Sequence, residues 1–62
     1  MKDIVGSLAS FISKHATIEQ INEMLLASQA NEFSAVCLCL DKGITIDELT
    51  TSLKLALSHR GA

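Results

Sequence analysis

The chain has 62 residues, of which 48% are hydrophobic, and a formal net charge of −2 at pH 7. This length corresponds to one small domain, residues 1–62, and this composition is typical of a globular protein and excludes a disordered one. A domain of about 60 residues buries only roughly 60% of the surface of its unfolded chain, so its stability commonly depends on a disulfide, a metal or a second subunit.

The charged residues are spread evenly along the chain, which argues against a surface for nucleic acid. Residues 1–31 carry two lysines against three carboxylates, and residues 32–62 carry three basic residues against four carboxylates. The sequence therefore has no basic cluster that would neutralise phosphates. Phe11 and Phe33 are its only aromatic residues, so stacking platforms for bases are missing as well. Nucleic acid is not expected as a partner.

The cellular location follows from the apolar runs and the cysteines. The longest apolar run, AVCLCL at residues 35–40, is far too short to span a membrane. The N-terminal residues lack the apolar segment and cleavage site of a signal peptide. Cys37 and Cys39 lie too close together in sequence for a framework disulfide. We therefore expect a cytoplasmic protein without a membrane partner.

Two helices are predicted in the first half of the chain. Helix 1 covers about residues 3–15, with Asp3 as its N-cap. Helix 2 covers about residues 18–29 and begins with a capping box, in which Thr17 and Gln20 each accept a hydrogen bond from the backbone of the other. Asn31 can end this helix or cap the next one.

Two further helices are predicted in the second half. Helix 3 covers about residues 32–42. Its AVCLCL run is also compatible with a buried strand, but a lone strand would have no partner in a helical chain. Gly43 suits the left-handed position that follows a helix. Helix 4 covers about residues 46–58, opens with a second capping box between Thr45 and Glu48, and leaves a fraying tail at 59–62.

The second half of the chain resembles the first at an offset of 28 residues. KHATIEQI at 14–21 and KGITIDEL at 42–49 share a lysine at 14 and 42, a threonine at 17 and 45, and an isoleucine at 18 and 46. This similarity indicates either a duplicated helical hairpin or a chance likeness of two helix starts. The short loops imply antiparallel neighbours. The predicted fold is therefore all-α, with two antiparallel hairpins at about 3–29 and 32–58, packed as a homodimer.

Helical periodicity predicts which residues face the core. The apolar stripes of helices 1, 2 and 4 contain Ile4, Val5, Leu8, Phe11, Ile12, Ile18, Ile21, Met24, Leu25, Ile46, Leu49, Leu53, Ala56 and Leu57. Helix 3 is apolar nearly all round, with Phe33, Val36, Cys37 and Leu40 on one side and Ala35 and Leu38 pointing away from it. A helix that is apolar on every side belongs at the centre of a larger assembly.

Apolar residues outside these stripes predict an interface, because contiguous apolar patches mark contact surfaces. The candidates for a partner or dimer interface are Leu26, Ala35, Leu38, Cys39 and Leu55. Leu26 and Leu55 lie off the core stripes of helices 2 and 4. We therefore expect a homodimer or a complex with another protein, with helix 3 near the seam.

No chemistry of catalysis or of metal binding is predicted. In a Cys-Leu-Cys sequence on a helix the two sulfurs point about 200° apart, so they cannot hold one ion together. His15 and His59 lie near helix C-termini, where the helix dipole favours them without any function. The sequence has no glycine-rich phosphate loop, EF-hand or H-E-x-x-H motif. Neither a catalytic residue nor a cofactor is expected, and the protein is predicted not to be an enzyme.

These features favour a role in protein binding. In size, acidity, absence of a cysteine framework and absence of an active site, the chain resembles small helical proteins of phages, prophages and plasmids. This resemblance implies an inhibitor or antirepressor that binds a host or phage regulatory protein. An alternative is a helix-turn-helix DNA-binding regulator, since ATIEQINEML has the rhythm of the first helix of such domains. A second alternative is a structural oligomerisation module.

Overall fold

The computed structural model describes residues 3–61, which form four α-helices and no strand. The helices are α1 (Ile4–His15), α2 (Ile18–Gln29), α3 (Phe33–Lys42) and α4 (Ile46–His59). The all-α prediction is thereby confirmed, including the helical interpretation of AVCLCL. His59 is the last residue of α4, so the helix takes the first residue of the predicted tail, and Ala62 lies outside the described residues.

Both predicted capping boxes are present. In α2, the backbone N–H of Gln20 donates to Thr17 Oγ1 at 3.0 Å and the N–H of Thr17 donates to Gln20 Oε1 at 2.9 Å. In α4, the equivalent bonds between Thr45 and Glu48 measure 3.0 and 2.8 Å. Asp3 caps α1 by accepting from the N–H of Gly6 at 2.9 Å. The starts of α1, α2 and α4 therefore satisfy backbone donors that would otherwise lack a partner.

Left-handed residues end α2 and α3. Asn31 has a φ of 53° and Gly43 a φ of 69°. In the residues that directly follow them, the N–H of Glu32 donates to the Ala27 carbonyl at 2.9 Å, and the N–H of Ile44 donates to the Cys39 carbonyl at 3.0 Å. These are the long bonds of a Schellman motif. Asn31 thus ends α2, whereas α3 begins after Glu32, whose side chain makes no capping bond.

Helix α4 is the centre of the molecule, because it packs against each of the other three helices. Its most extensive contacts are with α1 and α2. The hydroxyl of Ser52 donates to the Val5 carbonyl at 3.3 Å, and the Arg60 guanidinium donates to the Ser13 carbonyl at 2.9 Å. Both bonds join residues 47 positions apart, so α1 runs in the same direction as α4.

The main packing does not follow the predicted division into two hairpins. Contacts between α1 and α2 are sparse, and α3 touches α4 less than α1 does. The first and last helices of the chain are instead the best-packed pair. The connections are short, as predicted, but a short connection brings only two helix ends together and leaves the rest of each helix free to diverge.

The buried core is small. Its fully or nearly fully buried members are Ala9, Ile21, Ser28, Ala35, Cys39, Leu49, Ser52, Leu53 and Ala56. Only Ile21, Leu49 and Leu53 among them carry large apolar side chains. The hydroxyls of Ser28 and Ser52 are satisfied by the carbonyls of Leu25 and Glu48, at 2.9 and 2.7 Å. A few aliphatic side chains therefore supply most of the buried apolar volume.

The predicted core stripe of α1 is correct only in part, since Leu8 and Ile12 pack against the core as predicted. Phe11 and Ile4, which were placed in its core stripe, are 60% and 44% exposed, whereas Ala9 is completely buried. The 47-residue register of α1 against α4 places Ala9 opposite Ala56, which is also completely buried. Small side chains let two helix backbones approach closely, so the alanine face turns inward and Phe11 turns towards solvent.

We predict that Leu53→Ala lowers the free energy of unfolding by about 2–5 kcal/mol, because Leu53 is 1% exposed and its truncation leaves a cavity. A protein of this length has a total stability of about 3–9 kcal/mol, so the effect is large. Urea titrations followed by circular dichroism measure it. Leu26→Ala is the matched control, since Leu26 is 66% exposed, and should change stability by less than about 0.5 kcal/mol. Equal effects of the two substitutions would contradict the described core.

We also predict that Thr17→Ala and Thr45→Ala each cost about 1 kcal/mol of stability, because each removes the hydroxyl that accepts from its capping box. Thr51→Ala, on an exposed position within α4, serves as the control and should cost no more than about 0.5 kcal/mol. Thermal unfolding at one protein concentration compares the three variants. A cost at Thr51 equal to that at Thr45 would show that the cap is not responsible, since alanine has a higher helix propensity than threonine.

Candidate protein-interaction surface

The most exposed apolar surface lies on α3. Phe33 and Leu40 are 83% and 77% exposed, and they lie one heptad apart on the helix. Cys37 is exposed between them and Val36 borders them, partly buried. At 100° per residue, Phe33, Cys37 and Leu40 fall within about 60° of one another around the helix. We call the surface formed by Phe33, Val36, Cys37 and Leu40 the α3 stripe.

The opposite side of α3 packs into the protein, which corrects part of the predicted interface. Ala35 is completely buried and Cys39 is 4% exposed, so a partner cannot reach either side chain. The Cys39 thiol instead donates to the Thr45 carbonyl at 3.7 Å. Leu38 is half-buried and packs against the core. Helix α3 is therefore turned about its axis relative to the prediction, with its small residues inward.

The small residues explain this orientation. Ala35 and Cys39 are spaced by four positions, so they share one face of α3 and allow that face to lie close to the core. Phe33 and Leu40 are too bulky for such an approach and lie on the other side. The prediction was based on hydrophobicity, which is similar on the two faces of α3. Side-chain volume is the property that distinguishes these faces.

Leu26 and Leu55 are exposed, as predicted from their positions off the core stripes. Their exposed fractions are 66% and 40%. Neither residue belongs to the α3 stripe, since Leu26 lies on α2 and Leu55 on α4. Their part in an interface stays a prediction.

The charges beside the α3 stripe are acidic. Glu32 and Asp41 are exposed at its two ends. Ser34 lies on the same side of the helix as Asp41. Lys42 is the only basic residue of α3, and helical geometry places it on the side away from Leu40. The α3 stripe is thus an apolar surface bordered by carboxylates and a hydroxyl.

An open cleft lies beside this surface, where α1 and α2 separate. It has a volume of about 520 Å³, and Ile21 and Leu53 contribute to its lining. Its other apolar lining residues are Ile12, Ala16, Met24 and Ala27. Its polar lining residues are Gln20, Glu23 and Ser34. The side chain of Gln20 is held in the α2 capping box. The cleft is shaped to receive apolar side chains.

Two further features of residues 3–61 concern metals and membranes. No three of the His, Cys, Asp and Glu side chains in this part of the chain come together in a way that would hold a metal ion. None of its four helices has the length and the apolar character needed to cross a bilayer.

The two thiols differ in environment, and we predict that they differ in reactivity. Cys37 is exposed, whereas burial and then the Glu48 carboxylate raise the pKa of the Cys39 thiol, which keeps it in its unreactive protonated form. In dilute native protein, iodoacetamide should modify Cys37 first and Cys39 only after denaturant is added. Mass spectrometry of digests measures both rates, with Cys37→Ser as the control. Fast native modification of Cys39 would contradict its buried position.

Comparison of the chain with family models, curated proteins and solved structures found no match.

Proposed function

We propose that the protein is a small regulatory or adaptor protein that acts by binding another protein chain through the α3 stripe. The observation that carries this proposal is the exposure of Phe33 and Leu40, at 83% and 77%, on one face of one helix. Covering such a side chain is worth roughly 1.5–3 kcal/mol. Isolated exposed apolar residues are ordinary, but two large ones aligned on a helix form a contact surface.

The form of the α3 stripe supports a helix-in-groove mode of binding. Phe33, Cys37 and Leu40 stand at positions i, i+4 and i+7, the spacing with which helices present anchor residues to a groove. The C-terminal end of α3 is defined by Gly43, and its inner face is held against the core through Ala35 and Cys39. A helix that is already ordered loses little conformational entropy on binding, which favours affinity.

The proposed anchors are Phe33 and Leu40, which were not among the predicted interface residues, while the proposed kind of function stays the same. A cytoplasmic inhibitor or antirepressor of the phage, prophage or plasmid type would fit a chain whose contact surface is one short helix. A DNA-binding regulator stays a prediction without a favourable structural observation. The Arg60 guanidinium, one of its few basic groups, is bonded to the Ser13 carbonyl.

The 28-residue repeat remains our interpretation of the two similar helix starts. The identical hydrogen bonds of the capping boxes at Thr17 and Thr45 support a duplicated hairpin. The halves have diverged in packing, since α1 lies along α4 while α3 makes fewer contacts. The second half carries the α3 stripe and is therefore the half to which we assign the binding role.

The test of this function is the effect of Leu40→Glu on partner capture. Tagged wild-type protein, Leu40→Glu and Leu26→Glu are each used to recover bound proteins, the chain itself included, from the native host. We expect bound protein to fall at least tenfold with Leu40→Glu, because a charge then replaces a large apolar side chain within a desolvated contact. Leu26→Glu places the same charge on a comparably exposed leucine of α2 and should change little.

Circular dichroism spectra of both variants establish that they are folded. Substitution at an exposed position should leave the fold intact. Equal recovery by wild type and Leu40→Glu would show that the α3 stripe is not the binding surface. Recovery of no protein at all, with the chain itself monomeric, would overturn the proposed function.

A further inference from the structure

We draw no further inference here: the strongest candidate, the open cleft where α1 and α2 separate, is lined mainly by apolar side chains, and nothing in the structure shows what fills it.

Discussion

The close contact between α1 and α4 is the constraint on which the rest of the structure depends. Ser52 lies towards one end of it, and its single hydroxyl proton is shared between the Glu48 carbonyl of α4 at 2.7 Å and the Val5 carbonyl of α1 at 3.3 Å. A carbonyl of one helix can be reached by so short a side chain only where the two backbones lie close together. Ala9 and Ala56, both fully buried, permit that approach. Once α1 lies along α4, it cannot also cover α2, and the open cleft follows.

The same preference for small inward faces determines the surface. Helix α3 approaches the core through Ala35 and Cys39, which leaves Phe33 and Leu40 in solvent. Helix α1 approaches through Ala9 and leaves Phe11 in solvent, where its ring lies 4.5 Å from that of His15. Close packing thus places both aromatic residues outside a core that is built from alanine, serine and a few aliphatic side chains. The large apolar side chains that do not fit this closely packed core therefore lie on the surface.

The helix boundaries were predictable from the sequence because local chemistry determines them. Thr17, Thr45 and Gly43 act on backbone groups within a few positions of themselves, and no distant residue is needed to identify their roles. The orientation of α4 was predictable too, since Leu49, Leu53 and Ala56 of its predicted stripe are buried, but the orientations of α1 and α3 were predicted only in part. Apolar periodicity placed Phe11 in the core and could not choose between the two apolar sides of α3, because it records hydrophobicity and carries no information on how closely another helix must approach. Exposure of Leu26 was predictable, since polar neighbours surround it on α2.

The pairing of the first helix with the last has a consequence for how the protein is made. The bonds from Ser52 to Val5 and from Arg60 to Ser13 each span 47 residues. During synthesis, α1 is made before α4, and the surface of α1 that will contact α4 has no partner in that interval. Contacts of such sequence separation also slow folding, because the intervening loop must be closed before they form. The protein therefore acquires its structure late and as one unit, when almost the whole chain is available.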